Sequence, residues 1–217
     1  MLKICTPLIG IGILSLAAGT AGAAAPRADT VMTNLVQAAP RPHTFEANTS
    51  MQLKKRGFPW TNVALQGKSY FAAPDHLVVK FNKVPGYMHA LPSAYAKIIN
   101  VAAWPNEYDA TLGPEQPVNG HPDYALLLKP KDPKSGDRGV ALVDPASWTV
   151  EKVTWNLSGG VTLTMAEDYS NVGSYRVPAS QTLSVHTPYA TADGTAKLQD
   201  YRVNVPIDRN VFANAQQ

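Results

Sequence analysis

Between Asp123 and Tyr189, apolar and polar positions alternate in five runs: Tyr124–Leu128, Gly139–Val143, Trp148–Leu157, Val161–Met165 and Tyr175–His186. A period of two sends successive side chains to opposite faces, so each run predicts a strand. The segments between them read as turns. Lys131–Asp137 is polar and contains Pro133 and Gly136, Asp144-Pro145 closes the second run, and Ser158-Gly159-Gly160 supplies the positive backbone angles of a tight hairpin. Strands joined by such turns form an antiparallel ladder.

The same rhythm holds upstream. From Thr44 to Leu53, the residues Phe45, Ala47, Thr49, Met51 and Leu53 share one face, while Glu46, Asn48, Ser50 and Gln52 share the other. After a polar turn at Lys54–Gly57, the positions Val63, Leu65, Gly67, Ser69 and Phe71 predict a second strand, and Leu77, Val79 and Phe81 a third. One face of these strands is dry and the other wet. Ahead of them, Asp29–Gln37 carries Val31, Leu35 and Val36 at helical spacing, with Asp29 as the expected cap.

One segment breaks the strand pattern. Between Val84 and Trp104, the residues Tyr87, Met88, Leu91, Tyr95, Ile98, Ile99 and Ala102 recur at intervals of three and four, which predicts an apolar helical face. Pro92 and Trp104-Pro105 mark its edges. No internal repeat and no second core is visible. The expected fold is mainly β and one domain: a strongly curved antiparallel sheet of about ten strands, with a helix or two over its open side.

The first residues stand outside that fold. Lys3, the apolar run Ile4–Ala18 and the small residues Ala21-Gly22-Ala23 fit an export signal cleaved after Ala23, leaving a domain over 24–217. The run is shorter than a membrane-spanning helix. Cys5, the only cysteine, lies at the start of the run, whereas a lipidated cysteine follows one. The mature chain therefore has neither disulfides nor thiol chemistry, and a hydrophobic core must hold it. Its formal charge of +3 falls to +2 without Lys3, too little and too dispersed for a nucleic-acid partner.

Candidate catalytic chemistry is sparse. His43, His76, His89, His121 and His186 are scattered, with no pair at metal-ligand spacing, so neither metal nor cofactor is expected. Glu151, Glu167 and Asp168 sit on or beside strands, where alternation puts charge outside. Ser135-Gly136 and Ser158-Gly159-Gly160 lie in turns rather than in a nucleophile elbow, and no phosphate loop occurs. Trp60, Trp104, Trp148 and Trp155 are spread along the chain and read as packing residues. The expectation is a binding protein, not an enzyme.

The order of these strands resembles the C-terminal half of LolA-type periplasmic carriers, the outer-membrane lipoprotein-sorting family. The resemblance rests on a Leu-rich strand ending in Lys129-Pro130-Lys131, a strand closed by Val143-Asp144-Pro145, a strand from Val150 to Trp155, Tyr169-Ser170-Asn171-Val172, and Tyr201-Arg202-Val203-Asn204-Val205 leading to Phe212. It implies an unclosed barrel in the periplasm that holds the acyl chains of lipoproteins or another lipid under lid helices, with a membrane-bound donor or acceptor protein as partner. Pattern alone favours an interior filled by side chains; the resemblance favours a ligand. On the ligand reading, Tyr87, Met88, Leu91, Tyr95, Ile98, Ile99 and Trp104 form the lid, with Trp104 at the mouth. The wall is then Phe45, Met51, Leu65, Phe71, Val79 and Phe81. Each buried methylene contributes about 0.8 kcal/mol, so a carrier has to enclose most of its cargo to compete with a bilayer.

Two features depart from the family. Ala73-Pro74 stands where these carriers place an arginine before proline, and Val84–Trp104 replaces an Asp-Gly hairpin and Trp-x-Tyr strand. The cargo could equally be a phospholipid or isoprenoid, and the same fold serves periplasmic lipid-sensing regulators that bind a protein partner.

Overall fold

The structure, a computed structural model, describes residues 26–37, 40–57, 61–89 and 91–213. The expected export signal and its cleavage point after Ala23 lie outside the described residues. Eleven strands appear among those residues: β1 (Thr44–Arg56), β2 (Asn62–Ala72), β3 (His76–Phe81), β4 (Tyr108–Leu112), β5 (Gln116–Val118), β6 (His121–Pro130), β7 (Arg138–Asp144), β8 (Thr149–Leu157), β9 (Val161–Val172), β10 (Tyr175–His186) and β11 (Thr191–Val203). All pair antiparallel in the order β3-β2-β1-β11-β10-β9-β8-β7-β6-β4, with β5 beside β6. Strand β11 returns to β1 and so joins the N-terminal strands to the central ladder. The edges β3 and β4 do not pair with each other, and the barrel stays unclosed.

The five runs read from alternation are β6 to β10, and the hairpin between β8 and β9 uses Gly159 and Gly160 at φ of 81° and 74°. The expected inner face of β1 is also the observed one, since Ala47, Thr49 and Met51 are buried while Asn48 and Gln52 are exposed. Curvature comes with irregularities in the ladder. Register shifts between Glu46 and Asn48, Leu142 and Val143, and Pro178 and Ser180 each insert an extra residue that bends and twists its strand.

The concave face encloses the core. Met51, Leu65, Leu126, Leu128, Val153, Met165 and Leu183 meet there with Trp104 and Trp155, whose rings pack edge to face at 5.8 Å. Trp155 lies across Gly139 on the neighbouring strand: a Cβ at Gly139 would sit 2.7 Å from its ring. The sheet's tightest approach is at Gly67, where a Cβ would stand 2.0 Å from the Lys80 carbonyl oxygen.

Helices cover the gap between the edge strands. Helix α1 (Ala28–Gln37) buries Val31, Met32 and Leu35 and packs on β4 and β6. It begins at Ala28, so Asp29 lies in the first turn rather than at the cap, where its charge still favours the positive helix end. The region Val84–Trp104 is several short pieces instead of one helix: a 3-10 turn at Gly86–Met88, helix α2 (Leu91–Ile99) against β3, a second turn at Val101–Ala103, and α3 (Trp104–Glu107). Pro92 and Pro105 fit only the first turn of a helix, so α2 and α3 each start afresh there, while the break after Ile99 falls at Asn100, whose ψ of 68° leaves the helical region. A last helix, α4 (Asn210–Ala213), rests on β3.

Candidate functional site

Where β1, β3, β8 and β10 begin and β2 ends, the concave face leaves a cavity of about 100 Å³. Strand register builds its apolar wall. Phe45 pairs with Phe71, and Phe71 with Leu77, so three large side chains from adjacent strands stand at one level. The Phe45 and Phe71 rings stack at 5.3 Å, and Tyr201 meets Phe45 edge-on at 5.3 Å. Leu35 of α1, Ile99 at the end of α2, Val101 after it, and Val150, Val177 and Leu198 complete the apolar lining. The segment carrying Ile99 and Val101 is tied to the β2–β3 turn, where Asn100 Nδ2 donates to the Asp75 carbonyl oxygen at 2.5 Å.

One side of the cavity is polar. Glu167 is 8% exposed and accepts from the Tyr169 hydroxyl at 2.7 Å, and that hydroxyl also lies 3.1 Å from the Val150 carbonyl oxygen. The single phenol proton of Tyr169 therefore faces two acceptors, the Glu167 carboxyl and the Val150 carbonyl. Burial pushes Glu167 up to about 7, against the Tyr169 hydrogen bond and the attraction of Arg41. Arg41 reaches in from the α1–β1 connection and donates to the Leu35 carbonyl oxygen at 2.5 Å, capping the end of α1. Burial lowers its pKa from the ordinary value, against the pull of Tyr169 and Glu167. At the rim, the exposed Arg176 guanidinium lies 5.5 Å from the centre of the Tyr169 ring. The result is an apolar chamber with one buried acid and two guanidinium groups in its lining.

The residues expected from sequence divide between chamber and core. Phe45, Phe71 and Ile99 line the cavity. Met51, Leu65, Val79, Tyr95, Ile98 and Trp104 are buried in the core that fills the rest of the interior, and Leu91 and Phe81 lie half-buried against it. Trp104, expected at the mouth, is 1% exposed and is held against Trp155 instead. Tyr95 crosses the interior to donate its hydroxyl to Gln181 on β10. Met88 is half-buried in the Gly86–Met88 turn, and the Tyr87 side chain lies outside what the structure describes.

Glu167 corrects the expectation that the strand acids point outward. Its phase held the signal: Leu163, Met165, Glu167 and Tyr169 are spaced by two, and Met165 is a core residue. Arg41 gave no such signal, because it belongs to no periodic run.

No protein-family model matches the chain, and no curated protein matches it. Solved structures do. A putative outer-membrane lipoprotein-sorting protein domain from Vibrio parahaemolyticus superposes with a TM-score of 0.64 at 15% identity, covering 86% of this chain and 97% of that one. A LolA superfamily protein from Nitrosomonas europaea gives 0.60 at 12% identity, with 87% and 98% covered. The fold is LolA-like. A DUF1329 family protein from Desulfovibrio piger shares it, with a TM-score of 0.62, 12% identity, and 85% and 95% covered. At these identities the similarity speaks for the LolA-like architecture, an incomplete barrel with helices over its gap.

Proposed function

We propose that this protein is a periplasmic carrier that takes up the acyl chain of a lipoprotein or another lipid inside its LolA-like sheet and moves it between membranes. The observation that carries the reading is the apolar cavity on the concave face, with Arg41 and Arg176 in its lining. The apolar chemistry of its walls suits an acyl chain, and the guanidinium groups in its lining suit an ester, carboxylate or phosphate at the head of that chain. The names of the solved relatives, a LolA superfamily protein and a lipoprotein-sorting domain, support the same class.

Size sets a condition on uptake. The cavity of about 100 Å³ is smaller than the roughly 300–1,000 Å³ of ordinary ligand sites, so a full acyl chain enters only if the chamber enlarges. Helix α2 and the turn after it are the elements over the gap between β3 and β4, and their displacement is the route to a larger chamber.

Native mass spectrometry of protein purified from its own cell envelope tests this directly: a co-purified lipid is expected. Ala102, half-exposed on the cavity wall, gives a blocking variant. Ala102→Phe should weaken binding of a fluorescent acyl lipid by about tenfold or more while the thermal midpoint stays near wild type. Absence of lipid in the envelope preparation together with no saturable probe binding would overturn the carrier reading.

A further inference from the structure

Outside the cavity lining, the fold assembles a second group of polar residues. Tyr124 and Leu126 point into the core, so Asp123, one residue earlier on β6, faces outward; Val143 is likewise inside and Asp144, next on β7, outside. The β5–β6 hairpin turns through Asn119 and Gly120 at φ of 48° and 89° and delivers His121 beside them. A bulge adds the fourth member. Lys152 pairs with Leu142 and Val150 with Val143, which leaves Glu151 as the extra residue on β8.

The ligating atoms of His121, Asp123 and Asp144 all lie within 4.8 Å of one another. His121 Nδ1 is 2.9 Å from Asp123 Oδ1, yet among the described residues neither this nitrogen nor either Asp123 oxygen has a hydrogen-bond partner. Asp123 is 0% exposed. A buried carboxylate with both oxygens unpartnered is a costly arrangement without a cation to receive its lone pairs.

We propose that His121, Asp123 and Asp144 bind one divalent transition-metal ion of the zinc class. One imidazole nitrogen with two carboxylates suits zinc better than calcium or magnesium, which take oxygen ligands. Two carboxylates also balance a double positive charge, and three protein ligands leave a position for water. The surroundings orient each ligand. Glu151 Oε1 lies 3.5 Å from His121 Nε2 and is itself held by Asn119 Nδ2, which donates to Oε2 at 3.0 Å; a carboxylate there keeps the proton on Nε2 and frees Nδ1 for the ion. Asp144 is fixed by the backbone N–H groups of Ala146 and Ser147 and by the Ser147 hydroxyl, which leaves one lone pair, on Oδ1, for an ion. His121, 41% exposed at its side chain, gives the ion its way in.

The experiment is isothermal titration of chelator-stripped, untagged full-length protein with zinc chloride, calcium chloride and magnesium chloride in turn. One zinc per chain at micromolar affinity or tighter is expected, with calcium and magnesium weaker by about a hundredfold or more. His121→Ala removes a partly exposed side chain and should leave the fold intact by circular dichroism while weakening zinc by about tenfold or more. Asp144→Asn should weaken it similarly. His76→Ala, beside Asp75 elsewhere on the surface, should change nothing. No saturable zinc binding, or zinc affinity unchanged in both His121→Ala and Asp144→Asn, would overturn the proposal.

Discussion

Replacing Glu167 with glutamine should flatten the dependence of stability on pH. In the folded protein Glu167 titrates at about 7, against an ordinary value of 4.5, because burial disfavours its charged form more than Tyr169 and Arg41 favour it. The folded chain therefore holds this proton more tightly than the unfolded chain. Its contribution to stability is fully present below about 4.5, is lost as pH rises towards 7, and levels off above that. At about 1.4 kcal/mol for each pH unit between the two values, the whole effect is about 3 kcal/mol, of which some 2–3 kcal/mol falls between about pH 5 and about pH 8. The informative quantity is the difference between wild type and Glu167→Gln, measured by urea denaturation across that range. Wild type should lose about 2–3 kcal/mol more than the variant over that range. Parallel curves would refute the assignment of a buried, proton-holding carboxyl to the cavity wall.

Two further expectations concern packing. Ile98 on α2 is 8% exposed within the core, so Ile98→Ala should cost about 2–5 kcal/mol by urea denaturation; an unchanged midpoint would mean that α2 is only a cover. Gly139→Ala would set a Cβ at 2.7 Å from the Trp155 ring and should cost about 1–3 kcal/mol with an altered near-ultraviolet circular dichroism signal, and a variant identical to wild type in both would contradict the close packing of β7 against that ring.

The two proposed sites have only strand β8 in common and need not share a function. The inner one depends on the sheet's curvature, which keeps apolar side chains from β1, β2, β3, β8, β10 and β11 around one space. The outer one depends on the neighbourhood of β6, β7 and β8, where a hairpin, a strand end and a bulge converge.

Strand positions, the antiparallel ladder and the division into dry and wet faces were legible in the chain itself, because a period of two is a local steric property of extended backbone. Phe45 and Phe71 could be assigned to an inner face for that reason, and Phe45–Phe71 stacking follows once their strands pair. Helical spacing in Val84–Trp104 was legible too, but not its breaking into short pieces or the capture of Trp104 by Trp155, fifty-one residues on by position, 155 less 104. Such contacts are made across the sheet interior, where volume and curvature decide which side chains fill the core and which border a space. Glu167 had a readable phase, whereas its environment required Arg41 from a loop. His121 read as one of five scattered histidines. Only the pairing of β6 with β7 and the bulge in β8 bring Asp144 and Glu151 to it, since register between strands and an extra residue in a ladder are non-local and leave no period in the sequence.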